Sequence, residues 1–322
     1  MPATVSPYRN PLWPDAMWDV SGAFVNDREL VAFHDFCQVC LGFLPFSVVH
    51  GSPLFKWNCG RVLKHLIRDV EEIREAGLAY EQRRVAVDLT FSNFRLGAED
   101  MNNLTGNTLM EFFRRHNPTG MNAVIMASDV LYEHVKKNFP ELRTVSSILK
   151  VTMEKGRGKR DYYRKLADKY DKVMIHPDDV ENFALLESLE DKDKYELIVN
   201  EYCVRSCPIR HLHYESLAET AADFFGYDSS AFDARLANNG CSKLGTLLTS
   251  EKHGVVAMPA SSIRRAYEMG FRKFKLQGRG YATAAPLLFD LLRLVLREDA
   301  PGENAMHALK TRFWEMLLPE AE

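Results

Sequence analysis

The chain has 322 residues, 46% of them hydrophobic and 26% charged, with a formal net charge of −3. This composition supports a substantial packed core and excludes low-complexity disorder. The near-neutral charge argues against a protein built to coat nucleic acid, which is strongly basic.

No apolar run approaches the roughly 18 residues of a membrane span; the one at Leu287–Leu296 is broken by Asp290 and Arg293. The first 20 residues carry Pro2, Pro7, Pro11 and Pro14 and lack the cationic start and apolar stretch of an export signal. The expectation is a cytoplasmic protein that makes no use of a membrane. Its six cysteines would then stay reduced, as buried thiols or metal ligands.

An amphipathic stretch over 27–42 predicts a first helix, on which Cys37 and Cys40 read as packing residues rather than a redox pair. From there short apolar runs alternate with helical patterns. Strands are predicted at Phe46–His50, Val85–Phe91, Ala123–Ala127, Ser147–Val151, Lys172–Ile175, Glu196–Asn200, Val255–Met258 and Phe271–Gln277. Helices are predicted at 61–79, 107–116, 130–138, 159–170, 179–189, 212–225, 261–269 and 282–297. Ser128, Asp178 and Ser261 stand where N-caps are needed.

Eight alternating pairs predict an α/β chain folded as a single (β/α)8 TIM-like barrel over 43–298. Residues 1–42 would be an N-terminal extension with its helix, and 299–322 a C-terminal helix. A doubly wound open sheet is the alternative. With no repeat and no flexible linker, one domain is expected.

In a barrel, function collects at the C-terminal ends of the strands. Alternation in Phe271–Arg279 puts Phe274 and Leu276 on one face and Lys275, Gln277 and Arg279 on the other, toward the barrel mouth. In the second predicted strand, Asp88, Thr90 and Ser92 share the inward side. His50 and His176 end their strands, where an imidazole suits acid–base work. Asn58 and Asn93 are candidates for substrate amide contacts. The basic run Lys155–Lys165 reads as a solvated helix face, and Gly156-x-Gly158 lacks the rest of a dinucleotide fingerprint.

The cysteines carry the strongest chemical signal. Asn200-x2-Cys203-x3-Cys207-x2-Arg210-His211-x-His213-Tyr214 leaves the sixth predicted strand, and Cys241 follows in a glycine-containing turn. Thiolates at such spacing suit an iron–sulfur cluster or zinc, with Cys59 as a fourth ligand and His211 or His213 as proton carrier. Arg205 and Arg210 would favour the thiolates. Cys241 precedes the seventh predicted strand, so it reaches the same end only if 226–252 wraps the rim or helix 212–225 is an insertion.

These residues, together with Gly270-Phe271-x2-Phe274-Lys275-Leu276-Gln277-Gly278-Arg279, resemble the collagenase-like peptidase family over residues 172–280. That family comprises barrel proteins and includes relatives similar to oxygen-independent hydroxylases with an iron–sulfur cluster. The resemblance implies a 4Fe–4S cluster on Cys203, Cys207 and Cys241, with Lys275 and Arg279 at the substrate end. The sequence contains neither a G-x-S-x-G elbow nor an H-E-x-x-H helix.

The expectation is an iron–sulfur enzyme performing a redox or hydroxylation-type modification of a small or peptidic anionic substrate, fed by an electron donor. Asn93, Asn200, Gln277 and Arg279 would bind that substrate. A zinc-dependent or collagenase-like hydrolase is the first alternative, and a non-catalytic binding barrel the second.

Overall fold

The computed structural model describes residues 13–53, 55–59, 69–222, 229–241, 255–278, 284–295, 311–313 and 315. Eight parallel strands close on themselves: β1 (Met17–Ser21), β2 (Val48–Gly51), β3 (Ala86–Phe91), β4 (Ala123–Met126), β5 (Arg143–Ser146), β6 (Lys172–Ile175), β7 (Tyr195–Ile198) and β10 (Lys273–Leu276). β1 pairs with β2 on one side and with β10 on the other, and so seals the cylinder. The barrel is of the TIM type.

The count of eight arises differently from the predicted one. β1 lies in the segment assigned to an N-terminal addition: Trp18 and Val20 are buried toward the helices, while Asp19 and Ser21 face inward. Five residues containing an acid and preceded by prolines carry too little alternation to register as a strand.

Conversely, Val255–Ala257 forms β9, which lies outside the barrel and pairs antiparallel with β8 (Asn200–Val204). The fourth predicted strand, Ser147–Val151, is also corrected. The barrel strand is Arg143–Ser146, and the Ser147 hydroxyl accepts from the Leu149 N–H to start helix α5 (Ile148–Met153).

The remaining helices are α1 (Asp27–Phe36), α2 (Val70–Gln82), α3 (Leu104–Arg115), α4 (Asp129–Asn138), α6 (Arg160–Lys169), α7 (Phe183–Ser188), α8 (Arg210–Ala222), α9 (Ser229–Asn238), α10 (Ala260–Glu268) and α11 (Ala285–Val295). α1 runs into a π-helical turn at Cys37–Leu41 that ends on Gly42 in the left-handed region (φ 72°). α2 opens with a capping box between Asp69 and Glu72, and Ser128 caps α4. Asp178 and Ser261 do not cap as expected: α7 is capped by Asn182, and α10 starts at Ala260. Most of the predicted last helix lies outside the described residues, though Phe313 packs edge-on against Phe33 at 5.3 Å.

β8, α8, α9, β9 and α10 form an insertion between β7 and β10. It leaves the C-terminal end of β7, so Cys203, Cys207 and Cys241 all belong to the upper connection. Two apolar cores result. One fills the space between strands and outer helices. The other lies inside the barrel, where Ile125, Val145, Met174 and Ile198 meet Tyr214, Leu217 and Ala218 of α8. α8 therefore lies over the β4–β7 side of the mouth. The Asn93 amide to the Ala218 carbonyl (3.4 Å) and the Cys59 thiol to the Tyr214 carbonyl (3.5 Å) tie it down.

Candidate active site

Inward-facing positions of alternate barrel strands meet in layers. Asp19 of β1, Asp88 of β3 and Glu196 of β7 form one such layer, with a carboxylate oxygen from each lying within 4.8 Å of the others. All three are about 1% exposed. Bringing three carboxylates together out of water is tolerable only with counter-charges in contact.

Two lysines supply them. Lys172 of β6 reaches Asp88 and Glu196, both at 2.7 Å. Lys275 of β10 reaches Asp19 at 2.5 Å and lies 4.0 Å from Glu196. On the N-terminal side a cavity of about 20 Å³ opens, lined in part by Asp19, Asp88, Lys172 and Glu196; that is room for about one water molecule.

His50 of β2 completes the group. Its Nδ1 lies 2.7 Å from Asp19 Oδ1, so the one carboxylate of Asp19 holds both His50 and Lys275. Burial alone would raise the Asp19 carboxyl, but the charges of His50, Lys275 and Lys172 outweigh it and hold the group well below the usual carboxylate range. Burial pulls the His50 imidazole down, and Lys275 adds to that against the opposing pull of Asp19. At neutral pH His50 is therefore a neutral imidazole whose Nδ1–H donates to Asp19. That leaves Nε2 as a base with no hydrogen-bond partner among the described residues. Burial raises the Asp88 carboxyl, with Lys172 opposing and Asp19 and Glu196 adding to the rise.

Above this group the mouth stays polar on the β1–β2–β10 side. The Ser21 and Thr90 hydroxyls are buried with no hydrogen-bond partner among the described residues, on the strands flanking His50. Gly278 lies so close to Ser21 that any side chain there would strike its hydroxyl. The Asn200 side chain bonds both the N–H (2.7 Å) and the carbonyl (2.8 Å) of Gln277, fixing the end of β10.

The other predicted residues lie apart. His176 accepts from the Asp178 N–H (3.1 Å) and lies close to Arg210; burial first, then Arg210, pull its imidazole down to about 4. Asp178, Arg157 and Arg210 form a tie between the loop after β6 and the insertion, with Arg210 also reaching Glu201 at 3.4 Å. His211 is exposed and His213 half-buried on α8. The Asn93 amide also donates to the Lys56 carbonyl (2.7 Å), and Asn58 donates to the Pro53 carbonyl (3.3 Å), both as loop ties. Arg279 lies outside the described residues.

Cys203, Cys207 and Cys241 are half-buried thiols outside any disulfide. Three thiolates on one zinc ion stand about 3.8 Å apart. Among the described residues only Asp19, Asp88 and Glu196 gather three ligand atoms that closely. Cys59 is a packing thiol beneath α8, pushed up to about 12 by burial.

Sequence reasoning nominated His50 and Lys275 separately and missed the carboxylate that joins them, because Asp19 lies on the unrecognised first strand. Lys172 and Glu196 open their predicted strands, and the signal was present: each shares the inward alternation of its strand with a non-polar partner, Met174 or Ile198.

No protein-family model matches the sequence, and no curated protein matches it. The likeness is structural. The chain superposes on the U32 peptidase Mk0906 with a TM-score of 0.51 at 11% identity, over 83% of this chain and 94% of that one. The barrel described here is thus, over most of its length, the fold of a U32 peptidase.

Proposed function

We propose that this barrel is an acid–base enzyme whose centre is His50, and that it hydrolyses an amide bond in a peptidic substrate. The observation that carries the reading is the 2.7 Å contact between Asp19 and His50 Nδ1 inside the barrel, beneath the polar side of the mouth. Asp19 fixes the tautomer and orientation of the ring. Lys275 and Lys172 keep Asp19 ionised. Nε2 is then the atom that takes a proton from a water molecule attacking the substrate carbonyl, and returns it to the leaving amine. The name of Mk0906 and the shared fold support a peptide as the substrate class.

The test is peptide cleavage in 18O-labelled water, with products read by mass spectrometry. One labelled oxygen should enter each new carboxylate, and His50→Gln should lower turnover by about 10²–10⁴-fold. Cleavage unaffected by His50→Gln would overturn the assignment.

A second reading is favoured by the thiols. Cys203, Cys207 and Cys241 are half-buried on one insertion, and Cys203 is near enough to the buried Arg210 guanidinium for the two to interact electrostatically. These three residues would hold the iron–sulfur cluster implied by the family resemblance, and its chemistry would be electron transfer for a redox or hydroxylation-type modification. Cys59 is packed under α8, where its thiol donates to the Tyr214 carbonyl. Iron with matching acid-labile sulfide in protein purified without oxygen, lost in Cys203→Ser, is the expected result for this reading. Zinc without sulfide, or neither metal, would end it.

A further inference from the structure

The buried layer contains three acids and two lysines, so its described side chains carry one more negative than positive charge when fully ionised. We propose that this surplus is the electrostatic counterweight of His50. The carboxylates of Asp88 and Glu196, which do not touch the ring nitrogen, make His50 a stronger proton acceptor by leaving one negative charge for its imidazolium to cancel. The inference rests on the reading of His50 as the base and names the residues that set its strength.

The geometry supports this at several points. His50 stands directly opposite Asp88 in the β2–β3 register, as it does opposite Ser21 across β1–β2. The charged groups facing it are Asp19 on β1, Asp88 on β3, Lys172 on β6, Glu196 on β7 and Lys275 on β10. Arg143, Asp171 and Lys273 lie further down, around the small cavity. Arg143 and Asp171 are exposed there and screened by water, and the half-buried Lys273 ammonium is held on the Asp193 carbonyl. The uncompensated charge therefore sits inside, fixed by strands and unable to relax away. A charge pre-placed in this way stabilises the imidazolium as it forms, without reorganisation.

Asp88 and His50 also compete for a single proton. Burial and two neighbouring acids raise the Asp88 carboxyl against the pull of Lys172, and where it is protonated the layer is balanced without His50. Asp88 is thus a positioning residue, acting through the charge it presents to the ring.

The experiment is an NMR titration of the His50 ring in the full chain without substrate, the signal being assigned by its loss in His50→Gln. Asp88→Asn should lower the midpoint by about one pH unit, a tenfold weaker proton affinity. Glu196→Gln should lower it by less, and Asp88→Glu should restore it toward the wild-type value. If Asp88→Asn does not fold, Glu196→Gln decides. A midpoint unchanged or raised in the neutral variants would overturn the proposal. Because no substrate is present, this result stands apart from the cleavage test: His50 can prove inactive in catalysis while its titration still follows Asp88, or the reverse.

Discussion

Lys172 is about 9% exposed and lies between two carboxylates at 2.7 Å, which lift its ammonium well above its ordinary range against the cost of burial. Removing one partner from such a group strands the others. Lys172→Ala should therefore cost about 3–5 kcal/mol in urea unfolding, far more than trimming an exposed lysine. A second residue-scale expectation concerns acid. The unfolded His176 titrates near 6.5, while the folded one is held at about 4. Below 6.5 the unfolded chain binds the extra proton, so stability falls as pH drops from about 6.5 toward 4 and then levels. His176 contributes about 3 kcal/mol to that loss, and His50, also held low by burial, adds in the same direction. Urea midpoints at pH 7.5 and 5 should differ less in His176→Gln than in the wild type. At this scale strand alternation made Lys275 and Gln277 visible by sorting polar from apolar faces, and His50 stood out as an imidazole at a strand end. It hid Asp19, because an acid in a five-residue strand looks like loop.

At the scale of elements, the helices were legible where a cap preceded a periodic run. Ser128 before α4 is the clear case. The run Ile148-Leu149-Lys150-Val151 looks β-like by composition, yet the Ser147 hydroxyl accepts from the otherwise free N–H of Leu149, and a helix results. β9 was recognised as a strand but not as an outlier from the barrel, since periodicity says nothing about which strand is the neighbour. Helix packing also sets limits that no pattern reveals. Gly106 lies against the Trp57 ring so closely that a methyl group would collide with it. Trp57 is fully buried and its indole N–H donates to the Asp100 carbonyl at 3.0 Å, so it cannot easily give way. Gly106→Ala should lower stability by about 1–3 kcal/mol despite the better helix propensity of alanine, as read in a thermal melt.

For the molecule as a whole, closure depends on β1, the strand least visible in the sequence. A chain shortened to begin after Val25 would leave β2 and β10 as open edges and expose their unpaired backbone groups. It should lose cooperative thermal unfolding and bind a hydrophobic dye. The overall class was readable because alternating strand and helix signals recur along most of the chain, and the eight-fold count followed despite one strand too few in the barrel and one too many, β9, that lies outside it. The pairing of first strand with last has a further meaning. Asp19 and Lys275 are 256 residues apart and meet through one carboxylate. During synthesis the first is made well before the second and must wait for its lysine partner until β10 has left the ribosome. The His50 centre therefore acquires its charge balance only with the last barrel strand, and a chain ended before β10, however much of its barrel has formed, has no assembled centre with which to act.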